Sequence, residues 1–226
     1  MGDEVISLPI IRAACPDCPP ARVGCLTEWV GATKHECAFD TGALEARAAL
    51  PMGWARDYAF GLVRRGVVVR QRIDSRGHST AVDAVGPGCL LTLEDTGSRC
   101  DYAATDTLIC LMPRVRSDRE HGAMANDVWL LYERSLRRVE RIAQARSGRS
   151  AVARLASLLC VLADELGDRP RDRLPSALQQ RDLARLIDMR HETLCRALGT
   201  LEKRGLAQRD PEGLVIVDRA RLELAT

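Results

Sequence analysis

The chain has 226 residues, 46% of them hydrophobic and 28% charged, with a net charge of +2. That length accommodates one large or two small domains, each able to bury a core, and the composition is that of a globular protein. No run of about 18 uncharged apolar residues occurs, which excludes a membrane-spanning helix. The start, Met1-Gly-Asp-Glu-Val-Ile-Ser7, lacks the basic region and apolar run of a signal peptide, so a cytoplasmic protein is expected. Nine cysteines in a reducing compartment argue against a disulfide framework and for metal binding or redox sensing. Arginine greatly outnumbers lysine, which favours bidentate contacts to phosphate and guanine.

Residues 1–28 form a Cys- and Pro-rich arm. Cys15, Cys18 and Cys25 make a C-x2-C-x6-C pattern, and Pro16, Pro19 and Pro20 forbid a continuous helix through it. A looped backbone lets several thiolates converge on one centre. Soft thiolates at this spacing suit an iron–sulfur cluster or a structural zinc.

Residues 29–116 read as a β-rich domain. Tyr58–Val63 and Val67–Ile73 flank Arg65-Gly66, and Asp74-Ser-Arg-Gly77 marks a turn before Ser79–Val85. Gly86-Pro-Gly88 ends that run, and Thr105–Met112 is a further apolar strand stopped by Pro113. Short strands with regular turn signals indicate a β-roll or barrel.

Residues 117–146 read as one long helix with Met124, Val128, Leu131, Ser135, Val139 and Ile142 near a 3.5-residue period and Leu136 beside them. Such a seam either pairs with a second copy of the chain, making a homodimer, or packs on its own β-domain. Pairing is the expectation. A second helix is expected over 149–166, followed by the linker Gly167-Asp-Arg-Pro170.

Residues 147–226 read as a winged helix-turn-helix. Gln180–Ile187 is a short helix, Met189-Arg190 a turn, and 191–204 a second helix stopped at Gly205. A turn at Arg209–Glu212 and the strand Gly213–Val217 supply the wing. The second helix of such a motif enters the major groove of double-stranded DNA. Glu192, Cys195 and Arg196 fall at i, i+3 and i+4 on one face, where Arg can donate twice to guanine and Glu can accept from cytosine. The alternative is a solvated Glu–Arg pair on an exposed helix.

The segment His191-Glu-Thr-Leu-Cys-Arg-Ala-Leu-Gly-Thr-Leu-Glu-Lys-Arg-Gly205 resembles the recognition helix of the CRP/FNR family, and Gln180-Arg-Asp-Leu-Ala-Arg-Leu-Ile187 resembles its first helix. The resemblance extends through the β-domain and the long helix. It implies an α+β fold with an N-terminal β-roll sensor of the cyclic-nucleotide-binding type, a dimerisation helix and a C-terminal winged helix. It further implies a homodimeric transcription regulator, not an enzyme, with RNA polymerase as a protein partner and a TTGAT-type palindromic operator. Glu192, Cys195 and Arg196, flanked by Arg190 and His191, occupy the DNA-contacting positions. Three departures stand out. Arg190 takes the place of a hydroxyl N-cap, Asp188 replaces the turn glycine, and Cys195 replaces a base-contacting serine.

Cyclic AMP binding is not expected, because Cys89-Leu90-Leu91 follows Gly88 with no Glu, and Arg99 is followed by Cys-Asp. The oxygen-responsive FNR branch instead holds a [4Fe-4S] cluster on three N-terminal cysteines and one strand cysteine. By resemblance those ligands are Cys15, Cys18, Cys25 and Cys110, and the cluster would make dimerisation and DNA binding oxygen- or redox-sensitive. Cys100 is the rival fourth ligand. Cys160 and Cys89 read as small buried hydrophobes, and Cys37 as a surface residue. Zinc, direct cysteine oxidation without metal, heme on His78, and an iron–sulfur redox protein are the alternatives. The last leaves the winged helix unexplained, and no dinucleotide or P-loop motif accompanies it.

Overall fold

The structure is a computed structural model that describes residues 40–94, 97–114, 121–166, 172–175, 178–211 and 213–226, with the side chains of 121–127 left aside. The arm, Cys37 and the 167–170 linker lie outside the described residues.

The chain opens with β1 (Asp40–Leu44), a one-turn helix α1 (Trp54–Asp57), β2 (Tyr58–Arg65), β3 (Val68–Ile73) and β4 (Ser79–Val85). It continues with β5 (Leu90–Thr92), β6 (Tyr102–Ala103) and β7 (Thr107–Pro113). These strands form two antiparallel sheets, ordered β1-β7-β2-β5 and β4-β3-β6. Gly66 turns the β2–β3 connection at φ +86°, where an added Cβ would lie 2.4 Å from the Asp106 carbonyl oxygen. Only glycine meets both demands. Leu44, Val63, Val68, Leu91, Ile109 and Leu111 form the core between the sheets.

Helix α2 (His121–Arg146) comes next, with residues 115–120 outside the described set. Its packing corrects the predicted seam. Leu131, Ser135 and Ile142 are buried against the chain's own structure, and so are Arg138 and Ala145. These residues are therefore occupied and leave nothing for a second copy. Of the predicted residues, Leu136 and half-buried Val139 instead extend an exposed stripe that starts at Trp129 and Tyr132. Steps of three, four and three residues follow a heptad.

Ser150 caps helix α3 (Ala151–Leu166) by accepting from the Ala153 amide at 3.0 Å. This helix is apolar nearly all round, as a buried element must be. It packs on α2 and within the C-terminal unit, which comprises β8 (Arg173–Pro175), α4 (Gln180–Leu186), α5 (His191–Lys203), β9 (Ala207–Asp210), β10 (Gly213–Ile216) and α6 (Arg219–Glu223). The strands of this unit pair in the order β8-β10-β9.

Besides the core between the sheets, the two halves share a second one. One continuous cluster joins Val67, Val69, Ala81 and Ala84 of the β-domain to Ile142, to Leu155 and Leu158 of α3, and to Leu186 and Leu198 of the C-terminal unit. Strand β4 carries this junction, since α2, α3 and α4 all touch it.

Candidate nucleic-acid interface

Helix α4 closes on Asp188, whose φ of +47° is left-handed, and the Met189 amide bonds the Ala184 carbonyl at 2.9 Å. Asp supplies here the conformation that a turn glycine would. Helix α5 then starts at Arg190, which is extended and makes no side-chain capping bond. The departures at positions 188 and 190 are thus accommodated by backbone geometry. At its far end Gly205 has φ +67° and the Leu206 amide reaches the Leu201 carbonyl at 3.0 Å, a glycine-terminated stop.

Leu194, Ala197, Leu198 and Leu201 bury one face of α5. The opposite face presents His191, Glu192 and Arg196 to solvent, with Cys195 half-buried beside them. Glu192 and Arg196 pair at 2.8 Å with side chains 79% and 73% exposed. The predicted residues therefore share one surface, and in the free protein two of them hold each other. An exposed i,i+4 pair is worth about 0.3–0.5 kcal/mol, whereas a bidentate base contact discriminates by about 1–3 kcal/mol, so DNA can open the pair.

The Cys195 thiol donates to Gln180 Oε1 at 3.0 Å and lies 3.7 Å from His191 Nε2. Gln180, which sequence reasoning left in the first helix without a role, thus fixes a side chain of the second. Arg209 on β9 grips Glu202 of α5 with two bonds of 2.6 and 2.8 Å, which sets the wing against the reading helix. Gln179, Gln180, Arg181, His191 and Arg209 border a cleft of about 380 Å³ beneath this surface.

The cysteines separate into distinct environments. Cys15, Cys18, Cys25 and Cys37 lie outside the described residues. Cys110 sits within β7, paired across to Thr41 of β1 on one side and Leu62 of β2 on the other. It is buried, and strand alternation turns it to the face opposite the core residues Ile109 and Leu111. Cys100 is exposed, with its thiol 3.4 Å from Gln71 Oε1. Cys160 is a buried hydrophobe, as expected, and burial pushes its thiol up to about 11.

Cys89 meets its expectation in part: it is half-buried against the β-domain core, and its thiol also contacts Glu165 Oε2 at 3.6 Å. Burial raises its pKa, partly offset by Arg138. His78 is exposed and bonded to Asp74 within its own turn. Among the described residues, no three His, Cys, Asp or Glu side chains gather into a metal-holding group. No helix among them is long and apolar enough to cross a membrane.

Residues 153–225 match the model of the Crp-like helix-turn-helix domain. No curated protein matches the chain. Solved structures match most of its length. FixK2 from Bradyrhizobium japonicum is 20% identical, with 84% of this chain and 98% of that one covered at a TM-score of 0.69. A CRP-family transcriptional regulator from Thermus thermophilus is also 20% identical, covering 81% and 95% at 0.62. A CooA double mutant from Carboxydothermus hydrogenoformans is 18% identical, covering 84% and 88% at 0.62. The β-roll, long helix and C-terminal unit therefore share the fold of these proteins, and the C-terminal unit is similar to the Crp-like helix-turn-helix domain over residues 153–225.

Proposed function

We propose that the chain is a homodimeric transcription regulator of the CRP/FNR type that reads a palindromic operator with Glu192 and Arg196. The observation that carries this reading is the exposed Glu192–Arg196 face of α5, standing on a buried apolar base within a Crp-like domain. The half-buried Cys195 and the exposed His191 and Arg190 border that face. Two copies are needed to read a palindrome, with half-sites about 34–36 Å apart. The exposed stripe Trp129, Tyr132, Leu136 and Val139 supports α2 as the pairing element, because a lone helix gains nothing by presenting aromatics to water. RNA polymerase is the partner that this reading implies.

For the sensor, we infer that Cys15, Cys18, Cys25 and Cys110 hold a [4Fe-4S] cluster. Four thiolates are the donor set that such a cluster takes. Residues 1–39 lead into β1, and Thr41, its second residue, lies directly opposite Cys110 in β7. Strand β1, where the described residues begin, is thus the neighbour of the strand that bears the proposed fourth ligand. When bound, the cluster would supply an oxygen- and nitric-oxide-labile centre. The chain's own part is to place Cys110 in β7 beside β1, the strand after which Arg47 reaches Asp182 of the C-terminal unit. Cys100, the rival ligand, lies beside Gln71 of the other sheet.

The test is anaerobic purification followed by iron and acid-labile sulfide counts and an absorption spectrum. About four irons per chain, with absorption near roughly 400 nm that bleaches in air, is the expected result. Cys15→Ser and Cys110→Ser should each abolish it. A colourless chain whose DNA binding changes on oxidation would overturn the cluster in favour of direct thiol chemistry. One zinc per chain would overturn it in favour of a structural site. Neither result would touch the DNA-reading assignment.

A further inference from the structure

We propose that Arg47 and Tyr102 of the β-domain, acting through Asp182, are positioning residues that fix the orientation of the DNA-reading unit. The inference rests on the reading of the chain as a dimeric DNA binder.

Asp182 is fully buried in the first turn of α4, ahead of the reading helix. Its carboxylate accepts from its own helix start, the Gln179 amide, at 3.0 Å. That bond accounts for one of the acceptor positions of Asp182. The others are filled from the β-domain. Arg47 NH1 donates to both carboxylate oxygens, at 3.0 and 2.9 Å, and the Tyr102 hydroxyl donates to Oδ1 at 2.6 Å. The Arg47 guanidinium also stands 5.8 Å from the centre of the Tyr102 ring. A buried carboxylate needs such partners, so the contact is specific in geometry as well as charge.

Arg47 adopts φ +76°, a region that side-chain-bearing residues avoid. Its backbone is held there by the Ala103 carbonyl, which accepts from the Arg47 amide at 2.7 Å. The β-domain therefore keeps a disfavoured backbone in place at the residue that reaches the reading unit.

The opposite end of α4 is held as well. Arg146, the last residue of α2, donates from Nε to the Leu186 carbonyl at 2.9 Å and from NH2 to the Ala81 carbonyl of β4. Helix α4 is thus fastened at its start by the β-domain and at its end by the long helix. The face of α5 that carries Glu192 and Arg196 stays exposed throughout. The fastening orients the reading unit without covering it.

Arg47 follows β1, which bears Thr41 opposite Cys110, whereas Tyr102 lies in β6 of the other sheet, paired with β3. The sensor sheet therefore has a route to the reading unit that bypasses the dimer stripe.

Two reading units must meet two half-sites together, so a fixed orientation raises affinity for the palindrome but not for one half-site. The test is the double variant Arg47→Asn, Tyr102→Phe in the full chain. Asn tolerates the left-handed backbone, and both changes leave Asp182 and its helix cap untouched. Binding to a labelled palindrome and to a single half-site is measured by fluorescence anisotropy, and hydrogen exchange of the Leu183–Leu186 amides is followed without DNA. We expect palindrome affinity to fall at least fivefold, half-site affinity to stay within twofold, and α4 exchange to speed up. A merely destabilised protein would lose both affinities together. Unchanged exchange, or an unchanged or higher palindrome affinity, overturns the proposal. If the unmodified chain binds neither DNA, the functional reading fails, and exchange alone then decides whether the fastening exists.

Discussion

Arg138 of the long helix and Asp83 of β4 meet as a buried bidentate pair, with Nε–Oδ1 and NH2–Oδ2 bonds of 2.7 and 2.9 Å. Neither side chain exceeds 1% exposure. Ser135 accepts from the same guanidinium at 3.2 Å, and Glu165 of α3 lies 3.5 Å from NH1. Burial opposes the charge on Arg138, but Asp83 outweighs it and keeps the guanidinium firmly protonated. One pair thus locks the long helix to the sheet that also carries the reading unit.

Removing one partner of such a pair strands the other charge in the core. Asp83→Ala should therefore lower unfolding free energy by about 3–5 kcal/mol, measured by urea denaturation. Replacing both partners, as Asp83→Leu with Arg138→Met, should recover most of that loss. Equal losses in the single and double variants would show that the pair is not what joins the elements.

Leu136 lies near the middle of the exposed stripe and is half open to water in one chain. Leu136→Glu should leave the fold intact and shift sedimentation from dimer to monomer at micromolar concentration. Ile142, on the buried face, behaves differently. Ile142→Ala should cost about 2–5 kcal/mol of stability through a core cavity. A dimer that survives Leu136→Glu would place the pairing surface elsewhere.

Arg196 is exposed and bonded only weakly to its neighbour Glu192, so Arg196→Ala should change stability by no more than about 0.5 kcal/mol. Its effect belongs to DNA. Specific binding should weaken by about 1–3 kcal/mol, with discrimination lost at one base pair of each half-site. Uniform weakening across all sequences would make it a phosphate contact instead.

Asp164 of α3 joins Arg141 of α2 to Arg219 of α6. Burial pushes its carboxyl up, but the hydrogen bonds from Arg141 and Arg219 outweigh that and hold it below the ordinary 3.8. A depressed carboxyl contributes stability above its unfolded pKa and loses it as pH falls through the folded one. Asp164→Asn should thus destabilise by about 1–2 kcal/mol at any pH from roughly 5 to 8, the scale of hydrogen bonds to a charged group reduced by the partial exposure of its partners. The gap between the two proteins should close progressively below about pH 4. A gap that widens on acidification would reverse the sign of the coupling.

Local signals carried much of this architecture. Ser79–Val85 runs between two turn signals and is β4 to the residue, and α5 begins at His191 and stops before Gly205 because its apolar period and stop glycine are contiguous in the chain. Strands β1, β5 and β6 left no such signal; β5 and β6 are only three and two residues long. On α2, two apolar stripes overlap, and periodicity could not separate residues that pair with a second copy from Leu131, Ser135 and Ile142, whose partners are in the same chain. Asp182 stands in the first turn of α4 and carries no separate signal in the sequence. Its partners Arg47 and Tyr102 lie 135 and 80 residues away, and no local pattern records a contact at that distance. The same holds for Arg138 and Asp83, 55 residues apart.

The most direct measurement is an equilibrium titration of a labelled palindromic TTGAT-type duplex with the anaerobically purified chain at physiological salt, against a scrambled duplex of equal length. Two chains should bind each duplex at about 10⁻⁸ M or tighter, at least about 10³-fold above the scrambled sequence. Glu192→Ala with Arg196→Ala should remove that preference. Equal affinity for both duplexes, or a preference that survives the double substitution, would contradict the assignment of this helix face as the DNA reader.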